Sequence, residues 1–143
     1  MTAPKGLDPL RDYSEWVKSI RNFEGWLKGT KAPGATDIDA LIERKGKFLV
    51  FEGKPWSNGV SIKYGQHLAL QALAKIPSFT VYLIGECEDG AMKLMQYSPV
   101  GKPIVSRKDG GRIMCWWQPK KFRPASKESL QELVNAWWDS SKH

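Results

Sequence analysis

The stretch from Thr36 to Lys54 limits what this chain can become more than any other. Ile38, Ala40 and Ile42 alternate with Asp37, Asp39 and Leu41, a polar break at Arg44–Lys47 contains Gly46, and Phe48–Phe51 is wholly apolar. A period of two marks a half-buried strand, and a short apolar run bounded by turn residues marks a core strand. Joined across a tight glycine-bearing turn, the two make a β-hairpin that needs a sheet to bury its second strand. At 143 residues the chain is long enough for one globular core and too short for two ordinary ones, so a single domain over 1–143 is expected.

On either side of the hairpin the period becomes helical. Tyr13, Trp16, Ile20, Phe23 and Leu27 recur at steps of three and four, predicting an amphipathic helix from about Asp8 to Lys28, after a leader over 1–9 and before a basic loop at Lys28–Ala35. Lys54–Gly59 reads as a loop, and a second helix is expected from about Ser61 to Ile76, closed by Pro77. Phe79–Gly85, Met92–Tyr97 and Arg112–Trp117 read as strands separated by turns at Glu88–Gly90 and Asp109–Gly111. Residues 119–125 form a basic linker, and Ser126 can cap a last helix whose apolar face is Leu130, Leu133 or Val134, and Trp137. Helix, hairpin, helix, strands, helix is the order of an α/β fold with helices packed on a mixed β-sheet.

No apolar run is long enough for a spanning helix, and the polar start carries no signal-like stretch, so a cytoplasmic protein without membrane association is expected. Two cysteines, Cys87 and Cys115, cannot build a disulfide framework, and with His67 and His143 they show no zinc spacing; both read as core residues. Lys and Arg number 22 against 15 for Asp and Glu, a net charge of +7. A surface of that sign attracts a polyanion, with nucleic acid the leading class. Between Arg112 and Arg123 cations and aromatics interleave as on single-strand-binding surfaces, which makes Arg112, Trp116, Lys120, Lys121 and Arg123 candidate nucleic-acid contacts. The plainer reading of that segment is a buried strand followed by a solvated linker. Likewise His67 reads as a helix-surface residue, and Trp16, Trp26, Trp137 and Trp138 as core.

Chemistry concentrates where the hairpin ends. With its turn at Lys45–Gly46, Asp39 lies opposite Glu52 and Asp37 opposite Lys54, all four on one side of the sheet. Carboxylates gathered at the end of a core strand are costly without a cation. A hard divalent ion such as Mg²⁺ is what they hold, with positions left for water and a phosphate oxygen. Beside it the Lys54 ammonium can stabilise charge growing on a phosphorane-like transition state, or help deprotonate the attacking water. The chemistry implied is phosphodiester hydrolysis.

Thr36-Asp37-Ile38-Asp39, a tight turn, and Phe48-Leu49-Val50-Phe51-Glu52-Gly53-Lys54 resemble the PD-(D/E)XK, or restriction-endonuclease-like, nuclease superfamily. Within it the chain is most similar to RecB-type nucleases and archaeal Holliday junction resolvases. The resemblance implies a core of αβββαβ type, with Glu52 and Lys54 in the (D/E)XK tripeptide and Asp39, thirteen positions earlier, as the primary aspartate. Asp37, in a degenerate dipeptide where Thr36 replaces proline, is a possible second ligand. Gln66 matches the glutamine that RecB-type members carry on the helix after the tripeptide, although Leu70 stands where their tyrosine often follows. On helical spacing Gln66 would share a face with Ile62, Ala69, Leu73 and Ile76. Glu24, on the buried stripe four after Ile20, matches the additional metal-associated glutamate of several members. The resemblance covers Asp37 to Leu73 and implies a Mg²⁺- or Mn²⁺-dependent deoxyribonuclease acting on double-stranded or branched DNA. Recombination, repair or viral DNA processing, in bacteria or virus-infected cells, would be its setting, and a homodimer its working form. A nucleic-acid-binding module with a decayed metal site and a basic protein-interaction domain are the alternative readings.

Overall fold

The computed structural model describes residues 30–31, 38–98, 101–107 and 109–141. The unit Ile38–His143 is described here by itself. The expected helix over 8–28, with Glu24, and the residue Asp37 lie outside the described residues.

The hairpin forms as its sequence demands. Strands β1 (Ala40–Arg44) and β2 (Lys47–Pro55) pair antiparallel from Ala40 opposite Phe51 to Arg44 opposite Lys47. Lys45 and Gly46 both have positive φ, 51° and 80°, the backbone of the tight turn whose twist matches that of the strands. Val60–Lys63 follows as β3, then helix α1 (Tyr64–Ala74) and strand β4 (Phe79–Glu86). Because α1 carries the chain back across the sheet, β4 enters parallel to β2, with Glu52 beside Leu83 and Lys54 beside Gly85. Strands β5 (Met92–Gln96), β6 (Ile104–Arg107), β7 (Ile113–Trp117) and β8 (Arg123–Ala125) and helix α2 (Lys127–Ser140) complete the unit. Five strands make a mixed sheet in the order β1-β2-β4-β5-β8, and three make a second, antiparallel sheet in the order β3-β7-β6. The α/β class and the mixed sheet expected from the pattern are therefore present.

The core lies on one face of the larger sheet. Val50, Val81, Leu83, Met95 and Tyr97 meet Leu70 of α1 and Val60, Ile62, Cys115 and Trp117 of the smaller sheet. Leu49, Phe51, Tyr82, Ile84 and Leu94 point the other way. Across that second face runs α2, which presents Leu130, Leu133, Val134 and Trp137 half-buried, as its spacing predicts. Ser126 caps it: the hydroxyl accepts from the Ser129 N–H while the Ser129 hydroxyl accepts from the Ser126 N–H. At the far end Arg44 donates to the Trp138 carbonyl at 2.6 Å, and its guanidinium lies 4.4 Å from the centre of the Trp138 ring.

Five expectations change. The second helix starts at Tyr64, not Ser61, because Val60 and Ile62 alternate with Ser61 and Lys63 and pair with Trp117 and Cys115 as a strand. The stretch expected to be a linker, 119–125, is instead a 3₁₀ turn at Pro119–Lys121 followed by β8, an edge strand that tolerates Pro124. His67 is buried rather than on the helix surface, and Trp138 is 43% exposed rather than core. Cys87 is only half-buried, whereas Cys115 is buried as expected. Among the described residues, no helix is long and apolar enough to cross a membrane.

Candidate active site

Glu52 is placed by the interior strand. Val50 and Glu52 share the core face of β2, so the Glu52 carboxylate lies where an apolar group would ordinarily be, 2% exposed. Its oxygens are held from three directions. The Asp39 N–H donates to Oε2 at 3.3 Å, Gln66 Nε2 donates to Oε1 at 2.9 Å, and Lys54 Nζ stands 3.5 Å from Oε1. In return the Gly53 N–H donates to Asp39 Oδ2 at 2.8 Å. Asp39 and the Glu52–Gly53 backbone thus prolong the hairpin beyond β1 by side-chain bonds, and the register that places Asp39 beside Glu52 is the one the sequence predicts.

Gln66 reaches the site by another route than helical spacing alone implied. Ile62 is a strand residue, so it shares no helix face with Gln66. The amide instead projects from the first turn of α1, immediately after β3, and that short β3–α1 junction sets it over the end of β2. Lys54, two residues after Glu52 on the same face, is more exposed, with 28% of its side chain open against 3% for Glu52. One carboxylate therefore lies buried with a cation at its solvent side.

The electrostatics follow from this burial. Loss of hydration and then the Asp39 charge raise the Glu52 carboxyl above its ordinary value of 4.5, while Lys54 and the hydrogen bonds from Asp39 and Gln66 act against the rise. Beneath the site, His67 Nδ1 lies 3.2 Å from the Tyr97 hydroxyl, which also accepts from Trp117 Nε1 at 3.1 Å. Burial lowers the His67 imidazole from its ordinary 6.5 and raises the Tyr97 phenol. Neither ring is positioned to meet solvent, and both fix the floor on which α1 rests.

The expected nucleic-acid residues separate. Trp116 is half-buried and donates from Nε1 to the Asn58 carbonyl at 3.2 Å, beside the loop that follows Lys54. Arg112 is exposed immediately before β7. Lys120, Lys121 and Arg123 line a cleft with Tyr82 and Gln96, side chains of the face turned away from Glu52 and Lys54. Sequence reasoning missed three residues near the site. Glu86 ends β4 with Oε1 3.1 Å from where a Gly53 Cβ would stand, and Asp39 Oδ2 is 3.5 Å from the same point. Trp56 and Lys93 lie on the core face beyond Lys54, with Lys93 Nζ 5.8 Å from the centre of the Trp56 ring. The signal available for them was Gly85, since a glycine inside a strand marks a close approach by another group.

Among the described residues, no three of His, Cys, Asp and Glu gather into a metal-holding group. The described acids at the hairpin end offer a pair, Asp39 and Glu52, with Glu86 near Asp39 on the side of Gly53. No family model, no curated protein and no solved structure matches the chain.

Proposed function

We propose that this protein is a metal-dependent nuclease of PD-(D/E)XK type that hydrolyses phosphodiester bonds of DNA. The observation that carries the reading is the Glu52 carboxylate, buried in the core face yet tied to Gln66, Lys54 and the Asp39 N–H at once. Supporting it, the hairpin β1–β2, the helix α1 and the parallel strand β4 follow one another in the chain order of an αβββαβ core, with β3 paired in the smaller sheet.

Asp39 and Glu52 would hold Mg²⁺ or Mn²⁺. The fit rests on two features. Two carboxylates side by side, one of them desolvated, repel each other in a way that a divalent cation relieves, and Mg²⁺ commonly binds through one or two protein carboxylates together with water and phosphate oxygens. A bound ion supplies a more acidic water and charge neutralisation at phosphorus. The side chains do the rest. Gln66 holds Oε1 of Glu52 and so fixes the carboxylate's rotation. Lys54, open to solvent beside that carboxylate, faces the substrate phosphate and offsets charge on its equatorial oxygens as the water adds. Asp37 as a second ligand, Glu24 as a supporting acid, a homodimeric state and a role in recombination, repair or viral DNA processing belong to the same proposal. So do the outlying contacts Arg112, Trp116, Lys120, Lys121 and Arg123.

A gel assay on linear, nicked, branched and single-stranded DNA with Mg²⁺ or Mn²⁺ tests this. Glu52→Gln and Lys54→Ala should each lower cleavage at least ~100-fold while DNA affinity persists. By calorimetry Lys54→Ala should still bind Mn²⁺ and Asp39→Asn bind it weakly. Undiminished cleavage by Lys54→Ala, or a greater loss in Asp37→Asn than in Asp39→Asn, would overturn the assignment of roles.

A further inference from the structure

Glu52, Lys54 and Trp56 are spaced by two along one strand and its extension, so all three stand on the core face of the larger sheet. Trp56 continues the parallel ladder past β2 through its N–H to the Glu86 carbonyl at 2.9 Å, and its ring folds across β4. It can do so because the residue beneath is Gly85. A Cβ there would stand 2.5 Å from Trp56 Cε3 and 3.2 Å from Val60 Cγ2. On its far side the ring meets Phe122 edge-on, with centroids 5.0 Å apart. Trp56 is therefore wedged between two strands and an aromatic prop.

Lys93 lies on the next strand in the same row. It pairs with Gly85, and Gly85 pairs with Lys54, so the two lysine backbones stand two strand spacings apart, about 10 Å, with only a glycine between them. The Lys93 ammonium lies over the Trp56 ring at a distance where the ring face attracts it. Among the described residues no carboxylate pairs with it, although the residue is half-buried. A half-buried lysine held over an indole without an acid partner is a cation presented to an anion from outside the chain.

We propose that Lys93 is a second phosphate contact of this site, gripping the nucleic-acid backbone next to the phosphate that Lys54 faces, with Trp56 as the platform that holds its ammonium there. This rests on the reading of Lys54 as the cation at the scissile phosphate. Lys93 is a positioning residue: it orients the strand and takes no part in hydrolysis. It also places a backbone contact on the same face as Glu52, where Lys120, Lys121 and Arg123 do not lie.

The test is DNA affinity measured by anisotropy on a fluorescein-labelled oligonucleotide, without divalent metal, over a range of salt. Lys93→Ala should make the plot of log affinity against log salt shallower by about one and weaken binding roughly fivefold at moderate salt. Lys93→Arg should restore both. Trp56→Leu should move the same quantities in the same direction, and the double variant should be no worse than Lys93→Ala alone, as two residues acting through one contact require. In the cleavage assay Lys93→Ala should raise KM and leave kcat within about twofold. An unchanged salt slope and affinity in Lys93→Ala, or no DNA binding by the parent protein, would overturn the proposal and leave Lys93 as a side chain lying along an indole. The failures are separable. Lys93-dependent binding with no cleavage of any DNA refutes the nuclease reading alone, and Lys54-dependent cleavage with an unchanged Lys93→Ala slope refutes the second contact alone.

Discussion

Glu52 and His67 are buried ionisable residues whose effects on stability run in opposite directions. The raised Glu52 carboxyl means the folded protein holds that proton more tightly than the unfolded chain does. Its contribution is full below its ordinary 4.5 and is lost as pH rises through the raised value. The lowered His67 imidazole does the reverse. Its contribution is present above 6.5 and is lost as pH falls through the depressed value. On the acid side the two therefore pull in opposite directions and flatten the parent's profile. Glu52→Gln, which keeps an amide able to hydrogen-bond, should be more stable than the parent at pH 8 and should lose stability more steeply on acidification below pH 6.5. Urea midpoints from pH 4 to 8 measure this, and a Glu52→Gln midpoint at or below the parent's at pH 8 would contradict it. A more stable Glu52→Gln that also loses cleavage in the gel assay would mark Glu52 as kept for chemistry rather than for stability.

At the level of elements, closeness along the chain decided what could be read in advance. The β1–β2 hairpin, its register, the pairing of Asp39 with Glu52 and the Ser126 cap of α2 were legible, because each is settled within a few residues by turn chemistry and alternation. β3 was not. Val60–Lys63 offers four residues whose apolar pair also suits a helix start, and β7, which lies more than fifty positions away, makes them a strand. β8 is the same case: Pro124 argues for a linker until the free edge of β5 supplies a partner. The strap formed by Trp56 was equally hidden, since its support comes from Gly85 and Phe122. Gly85→Ala tests that support. Its new Cβ would press on the ring at 2.5 Å, and overpacking of this kind costs about 1–3 kcal/mol. Gly53→Ala is the control: the nearest atom is the flexible, exposed Glu86 carboxylate at 3.1 Å, and the cost should stay under about 1 kcal/mol. Equal losses in the two variants, by urea denaturation, would show that Trp56 is free to move.

For the unit as a whole, the site gathers residues from three separations in sequence. Asp39 and Glu52 meet across one turn, Gln66 comes from the helix after the next strand, and Lys93, the proposed second contact, comes from beyond β4. Class and hairpin were therefore legible together with the meeting of Asp39 and Glu52, while the approach of Lys93 to Trp56 was not, because the pairings that bring it about run from β2 through β4 to β5; Lys120, Lys121 and Arg123 line a cleft on the opposite face.

The positive-φ turn at Lys45–Gly46 also fixes an order of events in time. A hairpin closed by such a turn forms in roughly 1–10 μs, well before the parallel pairing of β2 with β4 can be reached through β3 and α1. Asp39 and Glu52 are thus brought together, with Lys54 of the same strand beside them, before Gln66 and β4 arrive, and their repulsion falls on the folding transition state. Removing one charge should speed refolding through the lost repulsion, while the lost cost of burial, met later, slows unfolding, so stopped-flow chevrons of Glu52→Gln against the parent at pH 8 should separate on the folding side as well as the unfolding side. A separation confined to the unfolding side would place hairpin closure late. Otherwise the pair proposed to hold the metal is assembled early, before the helix and strand that bury it arrive.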